Sequence, residues 1–155
     1  MTKYDIENIL IHKPPMVLIN EISNVDFDAK TLTAMVNITP KDVFYNKNLD
    51  GVPAYVGLEY MAQAIGCYAG LGDSDTTPKI GFVLGSRSYK NHIEYFQNNE
   101  TYTVNIHENF FEDEIGSFSC TITDKNNTLC AEGTITVFQP NDIKKFLKEK
   151  QHGKS

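Results

Sequence analysis

The sequence predicts an α+β fold: one apolar helix covered by a single curved antiparallel sheet. Two observations carry that class. The run Val56 to Gly70 is apolar nearly all round, broken only by Glu59 and Gln63, and a helix of that kind is buried rather than laid on a surface. Most of the segments around it read as strands, several alternating with period two. A lone buried helix among many strands has to be wrapped by the sheet those strands form.

Each element follows in order. Ile6, Ile9 and Leu10 suggest a short helix over Tyr4 to Ile11, ended by Pro14-Pro15. Met16 to Val25 reads as a strand, and Asp26-Phe27-Asp28 turns the chain. Thr31 to Ile38 alternates, with Leu32, Ala34, Val36 and Ile38 on one face. Pro40 to Asp50 is a polar loop. Pro53 stands just before the central helix, where proline is well tolerated. Gly70 and Gly72, then Asp73 to Pro78, stop that helix. Three or four more strands are expected, from Ile80 to Leu84, Thr101 to His107, Ile115 to Thr123 and Thr128 to Phe138. Asp124-Lys125-Asn126-Asn127 makes a hairpin turn between the last two. The acidic stretch Glu108 to Glu114 reads as a connecting loop. Asn141 to Lys150 suggests a short exposed helix.

The chain has 155 residues, enough for one domain with a real core. The expected layout is a single domain over residues 1–150 and a frayed tail over 151–155. A net charge of −6 argues against nonspecific nucleic-acid binding, which needs a basic face. The N-terminus carries no secretory pattern, and the longest apolar run is too short to span a bilayer. Cys67, Cys120 and Cys130 have no metal-like spacing. They read as small buried residues of a reducing cytoplasm, a Cys120–Cys130 disulfide being the minor alternative.

The i, i+4 spacing of Glu59 and Gln63 puts both on one helix face. Either they form an exposed stripe, or a carboxyl group sits inside the fold. In the second case it must be paired, held neutral or turned to a cavity, which makes Glu59 the first candidate for chemistry. The four histidines, His12, His92, His107 and His152, match no metal motif. His12 beside the double proline reads first as a local structural residue.

Three motifs resemble those of β-hydroxyacyl-acyl carrier protein dehydratases, a family with the hot-dog fold. Leu10-Ile11-His12-Lys13-Pro14-Pro15-Met16-Val17-Leu18-Ile19-Asn20-Glu21-Ile22 looks like its N-terminal signature. Leu58-Glu59-Tyr60-Met61-Ala62-Gln63-Ala64 looks like its central-helix motif, and Gly81 to Arg87 like the strand beside its acyl tunnel. The likeness runs from about Tyr4 to Gln139. The segment Val52 to Glu59 is most similar to the aryl-polyene-cluster branch.

The resemblance implies a dimeric dehydratase acting on acyl carrier protein thioesters, with no cofactor and no metal. Glu59 carries over as the catalytic acid. Ala54, Tyr55, Gly57, Gln63, Phe82 and Gly85 carry over as the acyl site, with Met61 along the tunnel. The family's His-Phe-Pro-Gly segment does not carry over: Phe44-Tyr45-Asn46-Lys47-Asn48-Leu49-Asp50-Gly51 holds no histidine. His12 and His92 are the leading substitutes for the missing base, with Tyr45, Tyr55 and Asp50 behind them. Alternatively a histidine-bearing partner subunit supplies it in a heterodimer. Two rival readings stay open: a hot-dog thioesterase in which Glu59 activates water, and an inactive acyl-binding subunit. Lys13, Lys47, Arg87 and Lys90 are either contacts for a carrier protein or ordinary solvated charges.

Overall fold

The computed structural model describes residues 17–72 and 82–139, and for 82–87 the backbone only. Its strands are β1 (Glu21–Asp26), β2 (Thr31–Asn37), β3 (Gly51–Pro53), β4 (Phe82–Asn91), β5 (Tyr95–Gln97), β6 (Thr101–Glu112), β7 (Ile115–Thr123) and β8 (Leu129–Phe138). A 3-10 turn, Ala54–Val56, leads into the helix α1, Gly57–Leu71. Six strands form one sheet in the order β1-β2-β6-β7-β8-β4, every neighbouring pair antiparallel. β3 and β5 pair separately as a small second sheet.

Alternation decides which face meets the helix. On β2, Leu32, Ala34 and Val36 are buried, and on β6, Tyr102, Val104 and Ile106 are buried. Phe118, Cys120 and Ile122 of β7 join them. α1 packs on β2, β6 and β7, and its buried Tyr60, Met61, Ala64 and Cys67 complete one core. The fully buried Phe96 of β5 closes the core edge-on against Tyr60 and Tyr102, with ring centroids 5.3 and 4.9 Å away.

Several expectations need correction. The first strand starts at Glu21, not Met16: Leu18 and Ile19 are buried but lie outside any ladder. β4 runs ten residues, well past Leu84. β6 continues through Glu112, so the acidic stretch is strand, paired through Glu112↔Ile115 and turned only at Asp113 and Glu114, both at positive φ. All three cysteines are free and buried. Burial pushes the Cys67 and Cys120 thiols up to about 12, so neither carries appreciable thiolate at neutral pH. No described helix is long and apolar enough to cross a membrane. The N-terminal helix, the helix over 141–150 and the tail lie outside the described residues.

Candidate active site

Glu59 stands in the first turn of α1 and is half-buried. Gln63, one turn on, is completely buried. Its Oε1 accepts the Leu18 N–H at 2.8 Å, and its Nε2 donates to Glu59 Oε1 at 3.2 Å. A backbone N–H only donates, so Leu18 settles which end of the Gln63 amide faces it. The NH2 end is thereby turned to the carboxyl group. Glu59 and Gln63 are thus no exposed stripe: the glutamine joins the buried segment before β1 to the glutamate.

Gln63→Leu keeps the volume but orphans the buried Leu18 N–H. A loss of about 1–3 kcal/mol in unfolding free energy is expected. Urea midpoints measure it, and a loss under about 0.5 kcal/mol would show that Leu18 finds another acceptor.

Three amide donors of the turn that leads into the helix are committed. The Ala54 N–H donates to the Glu94 carbonyl at 3.1 Å. The i→i+3 bonds of the 3-10 turn use the Val56 and Gly57 N–H groups, Gly57 donating to the Ala54 carbonyl. Within residues 54–57, Tyr55 is the residue whose N–H none of these bonds uses. Its side chain is 68 % exposed in the single chain and lies outside the core. Met61, by contrast, is fully buried in the core.

The segment that lacks the histidine is an ordered turn. Asn46 N–H donates to the Gly51 carbonyl at 2.7 Å. The Tyr45 hydroxyl donates to Asp50, which also accepts from Asn98 Nδ2 at 3.1 Å. The bond to the Asp50 carboxylate, with some burial, raises the Tyr45 pKa above the ordinary phenol range. A phenol held neutral is a donor and not a base.

The described histidines lie elsewhere. His107 is exposed on the face of β6 that points away from α1 and bonds Asn109 at 3.2 Å. His92 is exposed and bonds Glu132 at 2.8 Å. An open concavity of about 590 Å³ on that outer face is lined by Thr33, Asn105, His107, Thr121 and Glu132, among others; its carboxylate is the one His92 already engages. His12 lies outside the described residues, and Phe82 and Gly85 are placed in β4 by backbone alone. Among the described residues no cluster of three metal-binding side chains occurs. One residue near the helix start escaped the sequence reading: Tyr89, whose hydroxyl donates to the Ala54 carbonyl at 2.9 Å.

A long helix wrapped by a six-stranded antiparallel sheet, with a carboxyl group in the first helical turn, defines a hot-dog protein. The chain belongs to the ApeP-like family, whose model, described as ApeP dehydratase, matches residues 4–148. It is 32 % identical over 90 residues to a 3-hydroxyacyl-[acyl-carrier-protein] dehydratase FabZ of Chlamydia trachomatis, covering 56 % of this chain and 59 % of that one. It is 32 % identical over 93 residues to the FabZ of Acetivibrio thermocellus, covering 58 % and 62 %. The matches thus span about three fifths of those relatives' length. Among solved structures, the dehydratase heterocomplex ApeI:P from Xenorhabdus doucetiae superimposes with a TM-score of 0.81 at 23 % identity, covering 90 % of this chain and 93 % of that one. A hypothetical thioesterase with coenzyme A from Streptococcus pneumoniae gives 0.60 at 14 %, covering 77 % and 84 %. These two likenesses concern the fold.

Proposed function

We propose that the protein is a subunit of a 3-hydroxyacyl-acyl carrier protein dehydratase, with Glu59 as its catalytic carboxyl group. The observation that carries this is the Leu18–Gln63–Glu59 chain of hydrogen bonds in a member of a dehydratase family. In the reaction a base removes the C2 proton, the C2–H electron pair forms the C2=C3 bond, and the C3 hydroxyl leaves as water after taking a proton. Glu59 supplies that second proton. The helix start offers the Tyr55 N–H and the helix dipole to the thioester carbonyl, which takes on negative charge as the C2 proton departs.

The C2 base comes from a second subunit in this reading. The segment 44–51 has no histidine, Tyr45 is held neutral, and His92 and His107 are exposed and bonded elsewhere. A related fold occurs in a dehydratase heterocomplex, which supports a mixed dimer; in this reading the partner is the one that carries the histidine. Acyl carrier protein would deliver the substrate, and cytoplasmic synthesis of fatty acids or polyenes is the setting that fits.

The test is loss of water from a 3-hydroxyacyl-carrier-protein thioester, followed by mass. The pure chain should be inactive, and mixing it with a histidine-bearing dehydratase of the same family should give activity that depends on Glu59. Activity of the pure chain would overturn the two-subunit site. Mixed activity that survives Glu59→Gln would reduce the chain to a supporting subunit. Release of free thiol without enoyl product would make it a thioesterase.

A further inference from the structure

Tyr89 sits at a built irregularity of the sheet. Between Arg87↔Thr134 and Lys90↔Glu132 the β4–β8 ladder slips, so Ser88 and Tyr89 together face Gly133 alone. Ser88 has a φ of 50°, which a serine adopts only under local constraint. Such a bulge re-aims the side chain that follows. Here it leaves Ser88 and Lys90 exposed and packs Tyr89 against the core.

Two glycines make room for that side chain. A Cβ on Gly133 would lie 3.0 Å from the Tyr89 Cα, and a Cβ on Gly57 would clash with its hydroxyl. The first lets the bulge approach β8. The second admits the hydroxyl to the first turn of α1, where it donates to the Ala54 carbonyl at 2.9 Å. Burial pushes the phenol up to about 12, so it keeps its proton at neutral pH. The same carbonyl accepts the Gly57 N–H, so its satisfaction does not require Tyr89. What Tyr89 adds is direction.

In a trans peptide the C=O and the next N–H point in opposite directions within one plane. Fixing the Ala54 carbonyl from two sides therefore fixes the Tyr55 N–H, a donor that the bonds of the 3-10 turn leave unused. We propose that Tyr89 is a positioning residue: through the Ala54 carbonyl it aims the Tyr55 N–H at the thioester carbonyl of the substrate. This rests on the dehydratase reading above for the identity of the ligand, and on the bulge, the two glycines and the hydrogen bond for the geometry.

Three variants test it: Tyr89→Phe, Gly57→Ala and the double variant, each assayed with the partner if the pure chain is inactive. Losing an oxyanion donor outright costs about 10²–10³-fold. Loosening its aim should cost less, on the order of 10-fold in kcat with KM within about two-fold. Gly57→Ala displaces the hydroxyl and should cost as much. In the double variant there is no hydroxyl to displace, so its loss should match that of Tyr89→Phe alone. Additive losses, or an unchanged kcat in Tyr89→Phe, would overturn the proposal.

A second readout does not need dehydration. A saturated acyl-pantetheine thioester lacks the 3-hydroxyl and cannot eliminate water. Its binding should shift the Tyr55 amide resonance in the wild type, and by clearly less in Tyr89→Phe at saturation. Equal shifts in both, or none in the wild type, would overturn the positioning role even where dehydration is observed. Shifts as expected in a protein that never dehydrates would instead leave the role standing and remove the dehydratase reading.

Discussion

Glu59→Gln is expected to lower dehydration turnover by roughly 10²–10⁴-fold, the usual share of a general acid, with little change in fold stability. Glutamine keeps the length and the half-buried position, and its carbonyl oxygen can still accept from Gln63 Nε2, which bonds Glu59 Oε1 at 3.2 Å. What it lacks is a proton to give. In the proposed role the group acts only as the hydroxyl departs, so the loss should fall on kcat. The measurement is turnover of the active preparation together with a thermal melt. A melt unchanged and turnover down confirms a chemical role; a turnover within about two-fold of wild type would remove Glu59 from the mechanism.

Phe96→Ala should produce the largest loss of stability. The side chain has no exposure, and its ring meets Tyr60 and Tyr102 edge-on. Truncating such a residue costs about 3–5 kcal/mol, part transfer and part cavity, and each edge contact accounts for about 0.5–1.5 kcal/mol of it. For a chain of this size the melting temperature should drop on the order of 10 °C. The damage reaches the site as well, since the Phe96 ring lies close under Gly57. A drop under about 2 °C would mean that the neighbouring rings close the gap.

The central helix was legible to within a residue at each end, and so were β2, β7, β8 and the turn joining the last two. Their signals are long runs whose periodicity reports burial directly. Burial and hydrogen bonding parted company before β1. Leu18 is apolar and buried, but its N–H goes to the Gln63 side chain instead of a neighbouring strand, and hydrophobicity cannot announce that. The short strands β3 and β5 have three residues each, too few for any period. The acidic end of β6 was read as loop because charge marks a surface, and an exposed hairpin strand has one. At the candidate site, the pairing of Glu59 with Gln63 on one helix face was legible from their spacing. Tyr89 was not, because the bulge at Ser88 breaks the alternation that would have turned it inward.

The strand order carries a consequence for how the chain assembles. β6, β7 and β8 each pair with their neighbour in sequence, whereas β2 reaches β6 across 64 positions at Asn37–Thr101 and 72 at Thr33–Asn105. Closing so long a loop costs entropy before its contacts repay it. The meander should therefore form early, and the capture of β2 with α1 beneath it should come late. Stopped-flow kinetics would show this as a division of labour. Ile122→Val, in the middle of β7, should slow folding, while Val36→Ala, in β2, should mainly hasten unfolding. The reverse pattern would mean that the helix and β2 gather first, and that the local hairpins wait for them.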